Sequence, residues 1–222
     1  MIRRPGRADL DRLTAATQQA ESRTSAEIAT VIASQSGAYT GQVLMVCLAL
    51  MAAYALAFFL FLGAVHRLLE RFLWEARDVQ VLLAFFLGQI FVFGLGFGLL
   101  SLVPGLRSLV VSRKDKRRRV RERAELAFFH HNITATRAGN GLLIYVSIFE
   151  RRVELLVDSG IAQKIKPATW QDVVDRIVKG ILDNRFLSVL EVQIRHCGDV
   201  LAKPFPRRPG DVNELPDRPV LE

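Results

Sequence analysis

The chain has 222 residues, 50% of them hydrophobic and 23% charged, with a formal net charge of +8. That is one ordinary domain plus an anchor, and too little for two full domains. Two cysteines, Cys47 and Cys197, exclude a disulfide framework.

Residues 8 to 22 place Leu10, Leu13, Ala16 and Ala20 at helical spacing. After Arg23-Thr24-Ser25, the run Ala26 to Ala33 is β-branched enough for a strand. Gln35 to Gln42 then leads into the first of two apolar stretches.

No charged residue occurs from Val43 to Val65, nor from Val79 to Leu106. Each run exceeds the roughly 20 residues that cross about 30 Å of hydrocarbon. In the first, twelve Leu, Phe and Val side chains favour insertion by about 4 to 7 kcal/mol in sum. The run starts too far along the chain, and is too long, for a signal peptide. Ala49, Ala53 and Ala57 recur on one face of the first span, and Gly94 with Gly98 makes a GxxxG in the second; these small residues are either the packing surface between the helices or simply the Ala and Gly common in spans. Gln89 is expected to hydrogen-bond between the two helices.

The connector, 66–78, is too short for a folded domain, so both long ends of the chain lie on one side. Residues 107–123 carry nine basic side chains against Asp115 and Glu122. An excess of lysine and arginine beside a span stays inside, which places both termini in the cytoplasm of a bacterial cell, with the protein multi-pass in its inner membrane. Because this one collar holds +7 of the total charge, no basic face is left for nucleic acid. Arg113, Lys114, Lys116, Arg117, Arg118 and Arg119 are the candidate contacts to the lipid bilayer and its anionic headgroups.

Past the collar, Val120, Ala124, Ala127, Phe128 and His131 fall at helical spacing, so the collar is expected to run on as a helix out of the second span. Gly139-Asn140-Gly141 marks a turn. Leu142 to Ile148 reads as a central strand, and Arg152 to Val157 as its hairpin partner. Thr169 and Asp172 have the spacing of a capping box, followed by a helix with Trp170, Val173, Ile177 and Ile181 inward. Phe186, Leu190, Ile194, Cys197 and Leu201 mark a second helix. The segment 204–222 has five prolines and is expected to be an extended tail.

The stretches Glu21-Ser22-Arg23-Thr24-Ser25-Ala26-Glu27-Ile28, Gly141 to Ser147, Glu150-Arg151-Arg152-Val153-Glu154 and Asp158-Ser159-Gly160-Ile161 with Trp170 together resemble the TPM domain. Asn213-Glu214-Leu215-Pro216-Asp217 is similar to the tail of short bacterial members. The similarity spans about residues 10–36 and 120–217. It implies an α/β/α sandwich around a small mixed sheet, interrupted here by a two-helix transmembrane hairpin, with residues 1–36 and 120–203 forming one domain. It also implies phosphatase activity in some members, divalent-cation binding in some, and accessory roles in membrane complexes in others.

Phosphoryl transfer needs clustered carboxylates or a nucleophile with basic groups to hold the phosphate. The candidates are Glu150, Asp158 and Asp199 for catalysis, Arg151 and Arg152 for phosphate, and Glu27 and Asp158 for a divalent cation. Glu150 and Asp158 flank the strand hairpin and are expected to share an edge of the sheet. His130-His131 diverge on a helix and make a poor metal pair. The two readings are a non-catalytic binding or accessory module that docks on another membrane protein, and a weak metal-dependent phosphatase.

Overall fold

The computed structural model describes residues 5–72, 78–136, 138–207 and 210–222. In chain order the elements are α1 (Arg7–Glu21), β1 (Glu27–Ala33), α2 (Thr40–Leu60), α3 (Leu62–Phe72), α4 (Asp78–Leu102), α5 (Pro104–Val110), α6 (Arg113–His130), β2 (Gly141–Ser147), β3 (Arg152–Val157), α7 (Ser159–Lys164), α8 (Pro167–Leu182), α9 (Phe186–Ala202) and β4 (Val220–Leu221). They fall into two units, residues 38–112 and the two flanks, 1–37 with 113–222.

The flanking unit is a four-stranded mixed sheet in the order β3-β2-β1-β4. Pairing of β1 with β2 is parallel over all seven residues, from Glu27 opposite Gly141 to Ala33 opposite Ser147. Chain from both sides of the apolar helices therefore builds one sheet. Strands β2 and β3 form the antiparallel hairpin.

Every residue of β1 and β2 is buried, because helices cover both faces of the sheet. Ile28, Ile32, Leu142, Ile144 and Val146 point to one side, where they pack with Leu13 of α1, Val173 and Ile177 of α8, and Leu190 and Ile194 of α9. The alternate positions, Ala29, Val31, Ala33, Leu143 and Tyr145, meet Val120, Ala124, Ala127 and Phe128 of α6. Each fully buried Ile or Leu contributes about 1.5–3 kcal/mol of transfer free energy. Glycine allows two of the helix contacts. A Cβ at Gly198 would lie 2.6 Å from that of Ala20, and one at Gly180 would lie 2.8 Å from that of Val189.

Four expectations change here. The segment 204–222 is a structural part of the domain rather than a free extended tail: Val220 and Leu221 pair with Val31 and Ile32, and Leu215 is buried. Helix α8 begins at Pro167 with Lys166 as N-cap, so Thr169 and Asp172 form no capping box. The fixed φ of proline suits the first helical position, and Asp172 instead pairs with Arg176 at 2.8 Å. The collar does not continue the second span as one helix. Val103 is extended, as the residue before Pro104 favours, and Val111 is extended again before α6.

The fourth change lies within the unit 38–112. Helices α2 and α4 are long and apolar enough to cross a membrane, and only 11% and 6% of their apolar windows are buried. The two helices meet through Val43, Cys47, Tyr54 and Phe58 on α2 and Val81, Phe85, Gly96 and Leu100 on α4. Ala49, Ala53 and Ala57 are exposed, and a Cβ at Gly94 or Gly98 would meet nothing within 4 Å. The close-approach positions are Gly88, where an added Cβ would collide with the phenol end of Tyr54, and Gly96, where it would lie 3.3 Å from Leu50. Spacing alone does not say which helical face turns inward, and here the larger side chains do. Gln89 donates from Nε2 to the Met51 carbonyl at 3.3 Å, a helix-to-helix bond as expected. The connector, 66–78, lies partly outside the described residues.

Candidate functional site

The two ends of the sheet carry different polar groups. At the end where β2 turns into β3, Glu150 is buried. Its Oε1 accepts from the Ser36 backbone N–H at 2.9 Å, and its Oε2 accepts from the Ser147 hydroxyl. Ser36 Oγ lies 2.7 Å from Ser147 Oγ and 3.2 Å from the Tyr145 hydroxyl. Burial raises the Tyr145 pKa. Arg151 completes the turn with φ +51°. Both Glu150 oxygens are thus engaged in joining the β2–β3 turn to the segment after β1.

Asp158 sits at the other end of β3. It is the N-cap of α7, accepting from the Ser159 N–H at 2.6 Å. Glu150 and Asp158 flank the same edge strand but stand at its opposite ends, separated by six extended residues, on the order of 20 Å. Asp199 is elsewhere again, in an exposed ion pair with Arg23 at 2.7 Å. The three catalytic candidates do not converge. Arg151 and Arg152 stay with Glu150 at the turn.

Glu27 opens β1 and lines a polar cavity of about 220 Å³ with Gln18, Glu21, Ser22, Thr24, Arg207, Asp211, Asn213 and Asp217. Four carboxylates face one arginine there. Glu21 ends α1 and accepts the Ile28 N–H at 2.8 Å. Burial is the main reason its pKa rises to about 9, and a hydrogen bond to Asp217 adds to it. Glu27 accepts the Leu215 N–H at 3.2 Å, and burial raises its pKa as well. Nearby, Thr24 Oγ1 donates to the Phe205 carbonyl at 2.7 Å, and the Ser25 N–H donates to the same oxygen at 2.9 Å. The C-terminal segment is thereby held across the end of the sheet by Glu21, Glu27 and Thr24.

Glu21, Asp211 and Asp217 were not among the expected site residues. Glu21 and Asp217 both lie in the stretches that carry the TPM resemblance, but only the fold brings them together. As ligands for a divalent cation the carboxylates fit poorly. Glu27 already accepts a backbone N–H, and among the described residues no three His, Cys, Asp or Glu side chains are arranged to hold a metal.

The six basic candidates open α6. Arg113, Lys114, Arg117, Arg118 and Arg119 are exposed, while Lys116 is half-buried with its ammonium 5.9 Å from the Phe149 ring centre. Desolvation lowers the Lys116 pKa.

The flanking unit is thus an α/β/α sandwich with a helical pair inserted between its first two strands. The sequence model of the TPM domain matches residues 106–186, and the chain contains that domain. The match covers α6 to α8, while the parallel pairing of β1 with β2 brings the N-terminal flank into the same sheet. The NMR structure of the BA42 protein from the psychrophilic bacterium Bizionia argentinensis sp. nov. is similar in fold. The two have a TM-score of 0.56 and 17% identity, over 98% of this chain and 94% of that one. No curated protein matches the chain.

Proposed function

We propose that this chain is a membrane-anchored, non-catalytic binding module. In this reading α2 and α4 cross the bacterial cytoplasmic membrane as a re-entering pair, and the TPM domain stands on the cytoplasmic side as an accessory subunit of a membrane complex. The observation that carries it is the seven-residue parallel pairing of β1 with β2 around the helical insertion. A sheet cannot be built from both flanks unless the intervening chain returns to the side it left. Two crossings satisfy that, and the largely exposed apolar surfaces of α2 and α4 would be untenable in water.

The basic start of α6 supports the orientation. Five exposed cations occupy the first two turns, where the helix macrodipole disfavours positive charge. Arg118 and Arg119 pair with Asp115 and Glu122 along the helix, while Arg113, Lys114 and Arg117 are the cations that anionic headgroups at a cytoplasmic surface would take. The binding role is supported by the carboxylates. Glu150, Asp199, Glu21 and Glu27 each fasten one chain segment to another, and Asp158 caps α7.

Reporter fusions test the topology. Green fluorescent protein at either terminus should fluoresce and alkaline phosphatase at either terminus should be inactive; an active alkaline phosphatase fusion at one end would overturn it. A phosphate-release assay on the full chain in lipid nanodiscs, with and without Mg²⁺ or Ca²⁺, tests the catalytic alternative. Turnover that disappears in Asp158→Asn would make the domain an enzyme, and absence of turnover is the expected result.

A further inference from the structure

The chain leaves the flanking unit after β1 and re-enters it at α6, and both points lie beside the β2–β3 turn. The Ser36 N–H donates to Glu150 in that turn at 2.9 Å, and the Lys116 ammonium of α6 stands 5.9 Å from the ring centre of Phe149 in the same turn. Three guanidinium groups gather there. Arg113 opens α6, and Arg151 and Arg152 follow Glu150. Burial is the chief reason that the Lys116 pKa is lowered, and repulsion from Arg151, Arg152 and Arg113 adds to it against the attraction of Glu150. All three arginines are thus within electrostatic reach of one ammonium. The carboxylate among them, Glu150, has both oxygens engaged by Ser36 and Ser147.

Arg113 and Arg151 are exposed, Arg152 is half-buried, and none of the three guanidinium groups has an ion-pair or hydrogen-bond partner among the described residues. Membrane topology does not account for the two in the turn. The basic signal that orients a span acts within about 15–20 residues of it, and Arg151 and Arg152 lie far beyond that distance from Leu102. Nor does the turn call for arginine, since Arg151 has φ +51°, a conformation that Gly or Asn adopts more readily.

We infer that Arg113, Arg151 and Arg152 together bind the headgroup phosphate of an anionic phospholipid. A guanidinium offers paired N–H donors to two phosphate oxygens, and three of them beside a fourth cation leave the site strongly positive. The occupant is a lipid rather than a soluble polyanion because both connections to the apolar helices open at this end of the sheet, so helices that cross a bilayer bring its headgroups to these side chains. This inference rests on the membrane-anchored reading. It adds to the collar a headgroup site that only the folded domain assembles, from α6 and a turn some forty residues further along the chain.

The test is native mass spectrometry of the full chain in neutral detergent, titrated with phosphatidylglycerol or phosphatidylcholine. The parent should retain phosphatidylglycerol and lose phosphatidylcholine. Arg151→Gln combined with Arg152→Gln should weaken that retention at least about tenfold. Arg151→Lys with Arg152→Lys should restore part of it, and Lys179→Gln, at an exposed lysine of α8, should leave it unchanged. Melting curves without added lipid should match the parent's for every variant, since neither turn guanidinium holds another part of the chain. Equal retention of the two lipids, retention indifferent to the paired Gln substitutions, or displacement of phosphatidylglycerol by equimolar inorganic phosphate would overturn the inference, the last by assigning the site to free phosphate. The reporter fusions read topology independently of Arg151 and Arg152. Lost lipid preference with the fusions as expected sinks the headgroup site alone, and an active alkaline phosphatase fusion sinks the anchored reading beneath it.

Discussion

Glu21 and Asp217, from opposite ends of the chain, share a hydrogen bond at the margin of the sheet, and the shared proton belongs to Glu21, whose pKa lies near 9. The C-terminal segment is closed over the domain partly by a carboxylic acid that must stay neutral in a cavity already lined by Glu27 and Asp211.

The pH dependence of stability follows from that proton. The folded chain keeps it, and the unfolded chain releases it above about 4.5, so the unfolded state binds fewer protons across the window from about 4.5 to 9. Stability should therefore fall as pH rises through that window, by an amount on the order of a few kcal/mol. Glu27, shifted in the same direction, adds to the slope. Glu21→Gln keeps an acceptor for the Ile28 N–H and a donor for Asp217. It should raise the melting temperature at pH 8.5 by several degrees and leave the value at pH 5 nearly unchanged, as read by thermal unfolding in detergent.

The C-terminal segment should matter to stability. Leu215 is buried against the α6 side of the sheet, between the bond to Glu27 and the β4 pairing. Leu215→Ala is expected to cost about 2–3 kcal/mol in urea unfolding. Truncation before Asp211 should cost more and promote aggregation, since it uncovers the edge of β1.

Glu150 should behave as a structural residue. Glu150→Ala leaves the Ser36 N–H and the Ser147 hydroxyl without their carboxylate, at about 1–3 kcal/mol each. A melting temperature lowered by several degrees is the expected result. Ser147→Ala should have a smaller effect, because the Ser36 N–H keeps its acceptor.

Within the apolar helices, the glycine positions should differ sharply. Gly88→Val places a side chain where the Tyr54 ring stands, and it should lower the thermal stability of that unit in detergent. Gly94→Val faces open space and should be neutral. Equal effects at the two positions would contradict the described packing.

Elements whose signal is local were legible in the chain before it folds. The two apolar helices show as uncharged runs, the inward faces of α1, α6, α8 and α9 as helical spacing, and β2 as a continuous apolar strand, because each pattern is set by the environment of one segment. The β2–β3 hairpin and the mixed α/β class were legible for the same reason. The other features depend on partners that meet only in the folded chain. Whether Ala49 or Cys47 turns toward α4 depends on the partner helix, and the pairing of β4 with β1 depends on chain ends that meet only once the sheet exists. The acids behave likewise: Glu150 and Asp158 stand eight positions apart in sequence but at opposite ends of an extended strand, while Glu21 and Asp217 touch across nearly the whole chain. A carboxylate's role is set by burial and by the donors around it, and both are properties of the folded chain.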